Sequence, residues 1–239
     1  MKALLLAAGF GSRLDGLTKQ TPKPLIKVGE NSILAFCLEQ LSRSGVTEVI
    51  INTHYLAGQV EAFLEKYDSP FAITLSYEKN LLGTAGTLKK HIDKFSDDDF
   101  IVMHADNYFA DSLSNFVFAH NSREVGNFGS MGTFDTQNPE SCGVLLLNPD
   151  KTIREFHEKV VNPPSTIGNA AIYVFTHGVR EPLLKLSQNE NDISKHLIPK
   201  IMGGLFTYNF EGLFVDIGTP EGLKLANAYE AESKRSKTN

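Results

Sequence analysis

The sequence predicts an α/β fold: a mostly parallel, twisted sheet flanked by helices. Three observations predict it. The chain opens on a pure apolar run, Ala3 to Ala8, that breaks into Gly9-Phe10-Gly11. That is the pattern of a buried parallel strand feeding a glycine turn. Through the first half, β-branched runs alternate with segments of helical apolar spacing, as βαβ units do. Hydrophobic residues make up 41% of 239, enough for a substantial core.

The elements follow in order. After the first strand, Ile33, Cys37, Leu38 and Leu41 recur at helical spacing, and Gly45 is placed as the C′ stop. Glu48 to Thr53 is a β-branched strand. Val60, Phe63, Leu64 and Tyr67 mark the next helix. Ala72 to Tyr77 reads as a strand, Thr84 to Ile92 as a helix and Asp99 to His104 as a strand. Leu113, Phe116, Val117 and His120 suggest one more helix. The second half is richer in strands. Gly143 to Leu147 and Thr152 to His157 flank Asn148-Pro149-Asp150-Lys151, a hairpin-like turn. Gly168 to Phe175 is a strand, Val179–Leu186 and Asp192–Met202 are helical, and short strands lie around Phe206–Asn209 and Leu213–Val215. Pro220 opens a final helix to about Glu232, and the tail 233–239 is expected to fray. No repeat, low-complexity segment or linker interrupts the chain. One domain over 1–232 is expected, with a nucleotide-type first half and an embellished second half.

The net charge of −5 argues against a nucleic-acid coat or a polybasic membrane surface. The N-terminus is too short in apolar residues for a signal peptide, and no apolar stretch approaches the ~20 residues of a membrane span. A cytoplasmic protein is expected. Cys37 and Cys142 lack metal-type spacing and read as reduced packing residues.

The chemistry gathers at strand ends. Glycines let a backbone come close to a phosphate and turn its N–H groups inward. Arg13 follows the glycine loop directly, and Pro22 and Pro24 stiffen the backbone that holds Lys23. A site for something heavily phosphorylated is implied. Leu14 stands where a dinucleotide fingerprint needs its third glycine, and no Lys-Ser/Thr pair makes a Walker A loop. Asp106 follows the Phe100–His104 run and Asp216 follows Leu213–Val215. A lone aspartate at a strand end is most often a helix cap, but two meeting at one point suit Mg²⁺. His104 reads as a buried strand residue. In open α/β sheets ligands sit beyond the carboxyl ends of the strands. If one sheet carries the Gly9–Arg13 loop, Asp106 and Asp216, they converge on one crevice. Leu82-Gly83-Thr84-Ala85-Gly86-Thr87-Leu88 is a second glycine-rich loop opening a helix, with Thr84 as N-cap and backbone groups able to read a base edge. Glu158-Lys159 could serve a sugar phosphate, Lys159 for the phosphate and Glu158 for hydroxyls, with Asn169 able to bond a further hydroxyl.

Together these residues resemble the sugar-1-phosphate nucleotidyltransferases, from Lys2 to about Ala228. The opening loop with Arg13-Leu14 and then Pro22-Lys23-Pro24-Leu25 is similar to the family signature, and Leu82 to Gly86 to its base-recognition loop. Asp106 and the Val215-Asp216-Ile217-Gly218-Thr219-Pro220 run stand where the family has its metal aspartates, and Glu158-Lys159 where it has the sugar-phosphate pair. Ser12 replaces the usual threonine and keeps its hydroxyl. Ala105 replaces a usual Gly or Ser.

The resemblance implies a Rossmann-like fold with a nucleotide-binding half over about 1–110 and a sugar-phosphate half over about 111–232. It implies that Ala8, Gly9, Gly11, Ser12, Arg13, Lys23, Gly83 and Thr84 bind nucleotide, and that Gly143, Glu158, Lys159 and Asn169 bind sugar phosphate. Arg13, Lys23, Asp106 and Asp216 would be catalytic, with Mg²⁺ on Asp106 and Asp216. The motifs are most similar to the mannose-1-phosphate and heptose-1-phosphate guanylyltransferase branch, with GTP as the implied nucleotide. Uridylyl, cytidylyl and thymidylyl transfer, and a non-catalytic nucleotide-sugar sensor, are the alternatives. The implied partners are a nucleoside triphosphate and a sugar 1-phosphate, without nucleic acid or membrane, in a monomer or homodimer. The C-terminal left-handed β-helix of some relatives is not expected here.

Overall fold

The computed structural model describes residues 1–14, 16–95, 98–124 and 126–238. In chain order they form β1 (Lys2–Leu6), β2 (Lys27–Val28), β3 (Asn31–Ser32), α1 (Ile33–Arg43), β4 (Glu48–Thr53), α2 (Ala57–Leu64), β5 (Ala72–Tyr77), α3 (Thr84–His91), β6 (Phe100–His104), β7 (Asn107–Phe109) and α4 (Leu113–Asn121). There follow β8 (Gly129–Asp135), β9 (Gly143–Leu147), β10 (Ile153–Glu158), β11 (Ile167–Phe175), α5 (Arg180–Leu184), α6 (Ile198–Ile201), β12 (Leu205–Asn209), β13 (Phe214–Asp216) and α7 (Pro220–Thr238). The expected α/β class, a mostly parallel central sheet flanked by helices, holds. The chain groups into two compact units. Residues 1–4, 82–103 and 114–210 make one, and residues 5–81, 104–113 and 211 onward make the other.

In the second unit β4 and β5 pair in parallel, Glu48 against Ala72 through Thr53 against Tyr77. Helix α1 starts on Ser32, whose hydroxyl accepts from the Ala35 N–H. It stops where expected. Gly45 has φ 75°, its N–H donates to the Ser42 carbonyl, and the Val46 N–H donates to the Leu41 carbonyl, a Schellman end. The apolar face of α1, with Ile33, Leu34, Cys37, Leu38 and Leu41, is fully buried. The thiol of Cys37 packs as expected, and burial pushes its pKa up.

The first unit is built on β11. That strand pairs antiparallel with β6 (Ile172 with Met103 to Phe175 with Phe100) and with β8, and bridges to β9 at Gly168. Strands β9 and β10 form the expected hairpin through the turn at Asn148 to Lys151. Strand β12 runs parallel to β8.

Four strands escape the sequence reading: the two-residue β2 and β3, and β7 and β8. Strand β8 is Gly-Ser-Met-Gly-Thr-Phe-Asp, and five of its seven residues are buried. A Cβ at Gly132 would lie 2.5 Å from the Phe210 ring, so close packing keeps this strand small and hides its apolar signal. The segment read as a helix over Asp192–Met202 is a π turn (Ile193–Leu197), then α6, then a 3₁₀ turn (Met202–Gly204). The last helix runs on through Thr238, past the expected end at Glu232, and Asn239 of the expected frayed tail lies outside the described residues. No described helix is long and apolar enough to cross a membrane.

Candidate active site

Each unit gathers a cluster of the sequence-predicted residues. In the second unit β1 delivers Ala7, Ala8 and Gly9 to the surface end of a buried strand. The Ala7 N–H donates to Asn52 Oδ1 at 2.7 Å, and Asn52 Nδ2 donates to Glu78 Oε1 at 3.0 Å. Asn52 is 4% exposed and Glu78 3%, so the ends of β4 and β5 hold the start of the loop through a buried polar pair. The chain then turns on Gly11, at φ 67°. Leu14 N–H and the Thr18 hydroxyl both donate to the Gly11 carbonyl at 3.0 Å. A Cβ at Gly11 would stand 2.8 Å from Thr18 Cγ2 and 3.1 Å from Lys23 Cβ, so conformation and packing both require glycine. A Cβ at Gly9 would meet nothing within 4 Å, so its backbone faces open space.

Lys23 opens a 3₁₀ turn, Lys23–Leu25, that follows Pro22 (φ −64°, ψ 144°) and contains Pro24. The prolines hold it as expected. Its ammonium reaches Asp106 Oδ2 at 2.6 Å and Asp216 Oδ1 at 3.1 Å. Arg13 Nη2 donates to Asp216 Oδ2 at 2.8 Å, and the Gly218 N–H donates to Asp216 Oδ1 at 2.7 Å. Arg13 of the glycine loop, Asp106 and Asp216 come together, and Lys23 joins them. A small cavity beside them is lined by Leu6, Ala7, Gly9, Lys23, Ala105 and Asp106.

The reason for the convergence corrects the sequence reading. Asp216 does not lie on the main sheet. Its strand, β13, pairs antiparallel with β7 in a separate two-stranded ribbon, with Asp216 opposite Asn107. The Ile217 N–H donates to the Asp106 carbonyl at 2.9 Å, which locks the two aspartates side by side. Strand β7 is three residues long, too short to carry a periodic signal.

Electrostatics follows from this packing. Burial disfavours the Lys23 ammonium, but Asp106 and Asp216 outweigh it and hold its pKa above the ordinary lysine value. Burial likewise disfavours the Asp216 carboxylate. Lys23, the Gly218 N–H and Arg13 outweigh that and hold its pKa below the ordinary value.

The donor set fits a hard divalent cation. Two carboxylates place oxygens around one cationic point, the Lys23 ammonium. Among the described residues no group of three or more His, Cys, Asp and Glu side chains is suited to a metal. Two carboxylates completed by water and phosphate oxygens are the set Mg²⁺ takes. His104 is half-buried at the end of β6 rather than fully buried.

In the first unit Glu158 ends β10 opposite Gly143. A Cβ at Gly143 would lie 2.6 Å from Glu158 Oε2, so the glycine makes room for the carboxylate. Burial, with Asp192 adding to it, raises the pKa of Glu158 against the pull of Lys159 and Lys195. Lys159 has φ 51° and sends an exposed ammonium to 3.9 Å from Glu158 Oε1. Asn169 is buried and largely committed. Its amide donates to the hydroxyls of Tyr173 (2.9 Å) and Ser194 (3.2 Å), and its oxygen accepts from the Ala171 N–H (2.8 Å). Burial lifts the Tyr173 phenol to about 12. Sequence reasoning missed Tyr173 and Ser194 because neither sits in a motif. Cys142, half-buried nearby, is free.

The loop at Gly83 and Thr84 opens a helix as expected, but Thr84 is not its cap. Gly83 holds that position, and the Thr84 hydroxyl accepts from the Ile193 N–H at 2.7 Å. The N–H groups of Ala85 and Gly86 both donate to the Asn191 carbonyl, so that segment, not a side chain, caps α3.

The chain belongs to the nucleotidyl transferase family: the family's sequence profile, described as nucleotidyl transferase, matches residues 2–233. It is similar to the mannose-1-phosphate guanyltransferase of Neurospora crassa, 32% identical over 232 residues that cover 92% of this chain and 62% of that one. It is also similar to the mannose-1-phosphate guanylyltransferase catalytic subunit beta of Drosophila pseudoobscura pseudoobscura, 31% identical over 99% of this chain and 64% of that one. The chain spans less than two thirds of the length of these relatives. Among solved structures it matches a Bacillus anthracis protein assigned as a glucose-1-phosphate thymidylyltransferase, in complex with a sucrose. The TM-score is 0.85 and the identity 26%, over 96% of this chain and 94% of that one.

Proposed function

We propose that this protein transfers a nucleoside monophosphate from a nucleoside triphosphate to a sugar 1-phosphate, giving a nucleotide sugar and pyrophosphate. Residues 1–232 act as one nucleotidyltransferase domain in this reading. The observation that carries it is the packing of Arg13, Lys23, Asp106 and Asp216 into one cluster beside the glycine loop. GTP and mannose 1-phosphate, or a heptose 1-phosphate, are the favoured substrates, on the names of the relatives and the motifs.

A phosphate monoester has its second pKa near about 6, so the sugar phosphate is a dianion at neutral pH and needs no general base. Its oxygen attacks the α-phosphorus in line, the bond to the β-phosphate oxygen breaks, and pyrophosphate leaves with the electron pair. Alignment and charge neutralisation supply the rate. The backbone of Ala8, Gly9, Gly11 and Ser12 cradles the triphosphate. Arg13 neutralises the leaving pyrophosphate, and Lys23 meets the α-phosphate. Asp106 and Asp216 would hold Mg²⁺, which would supply charge neutralisation at the α-phosphate. Gly83 and Thr84 contribute to nucleotide binding. Glu158 takes sugar hydroxyls and Lys159 the sugar's phosphate, with Gly143 leaving room. Asn169 keeps one oxygen lone pair for a hydroxyl. The protein works in the cytoplasm, as monomer or homodimer, without nucleic acid or membrane.

The test is a pyrophosphate-release assay. GTP, UTP, dTTP, CTP and ATP are crossed with mannose, heptose, glucose, N-acetylglucosamine and N-acetylmuramic acid 1-phosphates, with Mg²⁺ and with EDTA. Mg²⁺-dependent release with GTP and mannose or heptose 1-phosphate is expected. Release with another pair reassigns the substrates. Silence across the grid, with a nucleotide sugar still bound, replaces the enzyme with a sensor.

A further inference from the structure

Lys23 does more in this structure than wait beside a phosphate site. Its side chain is 8% exposed, and its ammonium sits between two carboxylates from distant parts of the chain, 2.6 Å from Asp106 and 3.1 Å from Asp216. The position is built. A Cβ at Gly218 would collide with Lys23 Nζ and stand 2.7 Å from Asp216 Oδ1, so the residue two beyond Asp216 must lack a side chain for the ammonium to enter. Gly218 also donates its N–H to Asp216 Oδ1 and fixes the rotamer that faces the lysine.

Two carboxylates that converge on one point attract any cation that fits there. We propose that the Lys23 ammonium and the divalent cation are alternative occupants of one position between Asp106 and Asp216, so that the metal is admitted only as phosphate oxygens arrive to take the displaced ammonium. This deepens the nucleotidyl-transfer reading and rests on it.

The charge balance gives the reason. Lys23 and Arg13 already neutralise Asp106 and Asp216. A divalent cation entering alone adds two positive charges to a balanced, part-buried cluster and leaves a buried ammonium without an acceptor, which is costly. A polyphosphate arriving with the cation brings compensating charge and new acceptors for Lys23. Metal and nucleotide therefore bind as a coupled pair, and each raises the affinity for the other by the same factor.

The experiment is Mn²⁺ titration followed by the EPR signal of free Mn²⁺, on the whole protein with no nucleotide present. The variants are Lys23→Met, which removes the ammonium and keeps much of the side-chain volume, and Lys23→Gln, which removes the charge and keeps a donor for the two carboxylates. Both should bind Mn²⁺ at least about ten-fold more tightly than the wild type, the direction set by removing a like charge at contact distance. Melting adds a second readout. Millimolar Mn²⁺ should raise the Tm of Lys23→Met by several degrees and leave the wild type within one. If Lys23→Met does not fold, Lys23→Gln decides alone. Mn²⁺ affinity in the folded variants equal to or below that of the wild type overturns the proposal. None of these readouts needs turnover, so the pyrophosphate assay judges the reaction and the titration judges the exchange.

Discussion

Asp216 accepts from Arg13, Lys23 and the Gly218 N–H at once, whereas Asp106 accepts from Lys23 alone among the described side-chain hydrogen bonds. The two aspartates therefore differ as targets. Asp216→Asn disturbs three contacts, and its phenotype mixes structure with chemistry. Asp106→Asn is the cleaner probe: it should keep a native circular dichroism spectrum and lose about 10²–10³ in kcat, the usual cost of removing a preorganised charge. Arg13→Ala should lose activity on the same scale with little change in stability, because the Arg13 side chain is 63% exposed and its ion pair lies at the surface. Full activity in either variant defeats the proposed reaction. Ala171 presents a different residue-scale problem. It sits at φ 52° in the irregular stretch of β11 between Asn169 and Tyr173. An alanine there costs about 1–2 kcal/mol relative to its right-handed form. Ala171→Gly should stabilise the protein by about 0.5–1 kcal/mol after the entropy of glycine is subtracted. A lower midpoint in urea shows that the alanine methyl packs more than it strains.

At the scale of elements, the site depends on pieces of very different legibility. The glycine loop and the Pro22-Lys23-Pro24 turn are local and could be read directly, because glycine and proline state their backbone demands in sequence. The ribbon of β7 and β13 could not. Three residues pair with three others more than a hundred positions away, and only that pairing explains why Asp106 and Asp216 meet. Strand β8 was invisible for the opposite reason: it is central to its unit, yet packing against Phe210 keeps it rich in Gly, Ser and Thr. Helix ends were legible where glycine makes them. Gly45 at φ 75° has nothing within 4 Å of a built Cβ, so Gly45→Ala tests conformation without a clash. It should cost about 1 kcal/mol of stability and leave kcat unchanged. A neutral effect on the Tm removes the Schellman end from the account of α1.

Across the whole molecule, one constellation has the look of catalysis and is structural. Ser130 Oγ lies 2.9 Å from His120 Nδ1, and His120 Nε2 lies 2.8 Å from Asp99 Oδ2. Ser130 and His120 are both 0% exposed, so no substrate reaches the serine. The three residues tie α4 to β8 and to the start of β6. Burial lowers the pKa of His120 below the ordinary histidine value, against the opposing hydrogen bond that His120 donates to Asp99. The sign follows from linkage. The folded state prefers neutral His120, so its contribution is complete above the unfolded value of about 6.5 and is lost as pH falls below it. Stability in urea should drop by up to about 1 kcal/mol per pH unit just below that point. His120→Gln should be less stable at pH 7.5 and should flatten this slope. An unchanged slope assigns the pH dependence to other groups.

By itself the sequence determined the α/β class, the glycine turn of the first loop and the identity of the four charged residues that cluster beside it. Each rests on a local property: an apolar run, a glycine that only glycine can replace, a charge beside it. Only the tertiary structure decided that Asp216 reaches Asp106 through a separate ribbon, that Asn52 and Glu78 anchor the loop, that the Asn191 carbonyl caps α3, and that Lys23 occupies the point between the two aspartates. Those facts depend on pairings between residues far apart in the chain. A periodicity or a motif cannot encode them, because the partner's position is set by packing and not by spacing.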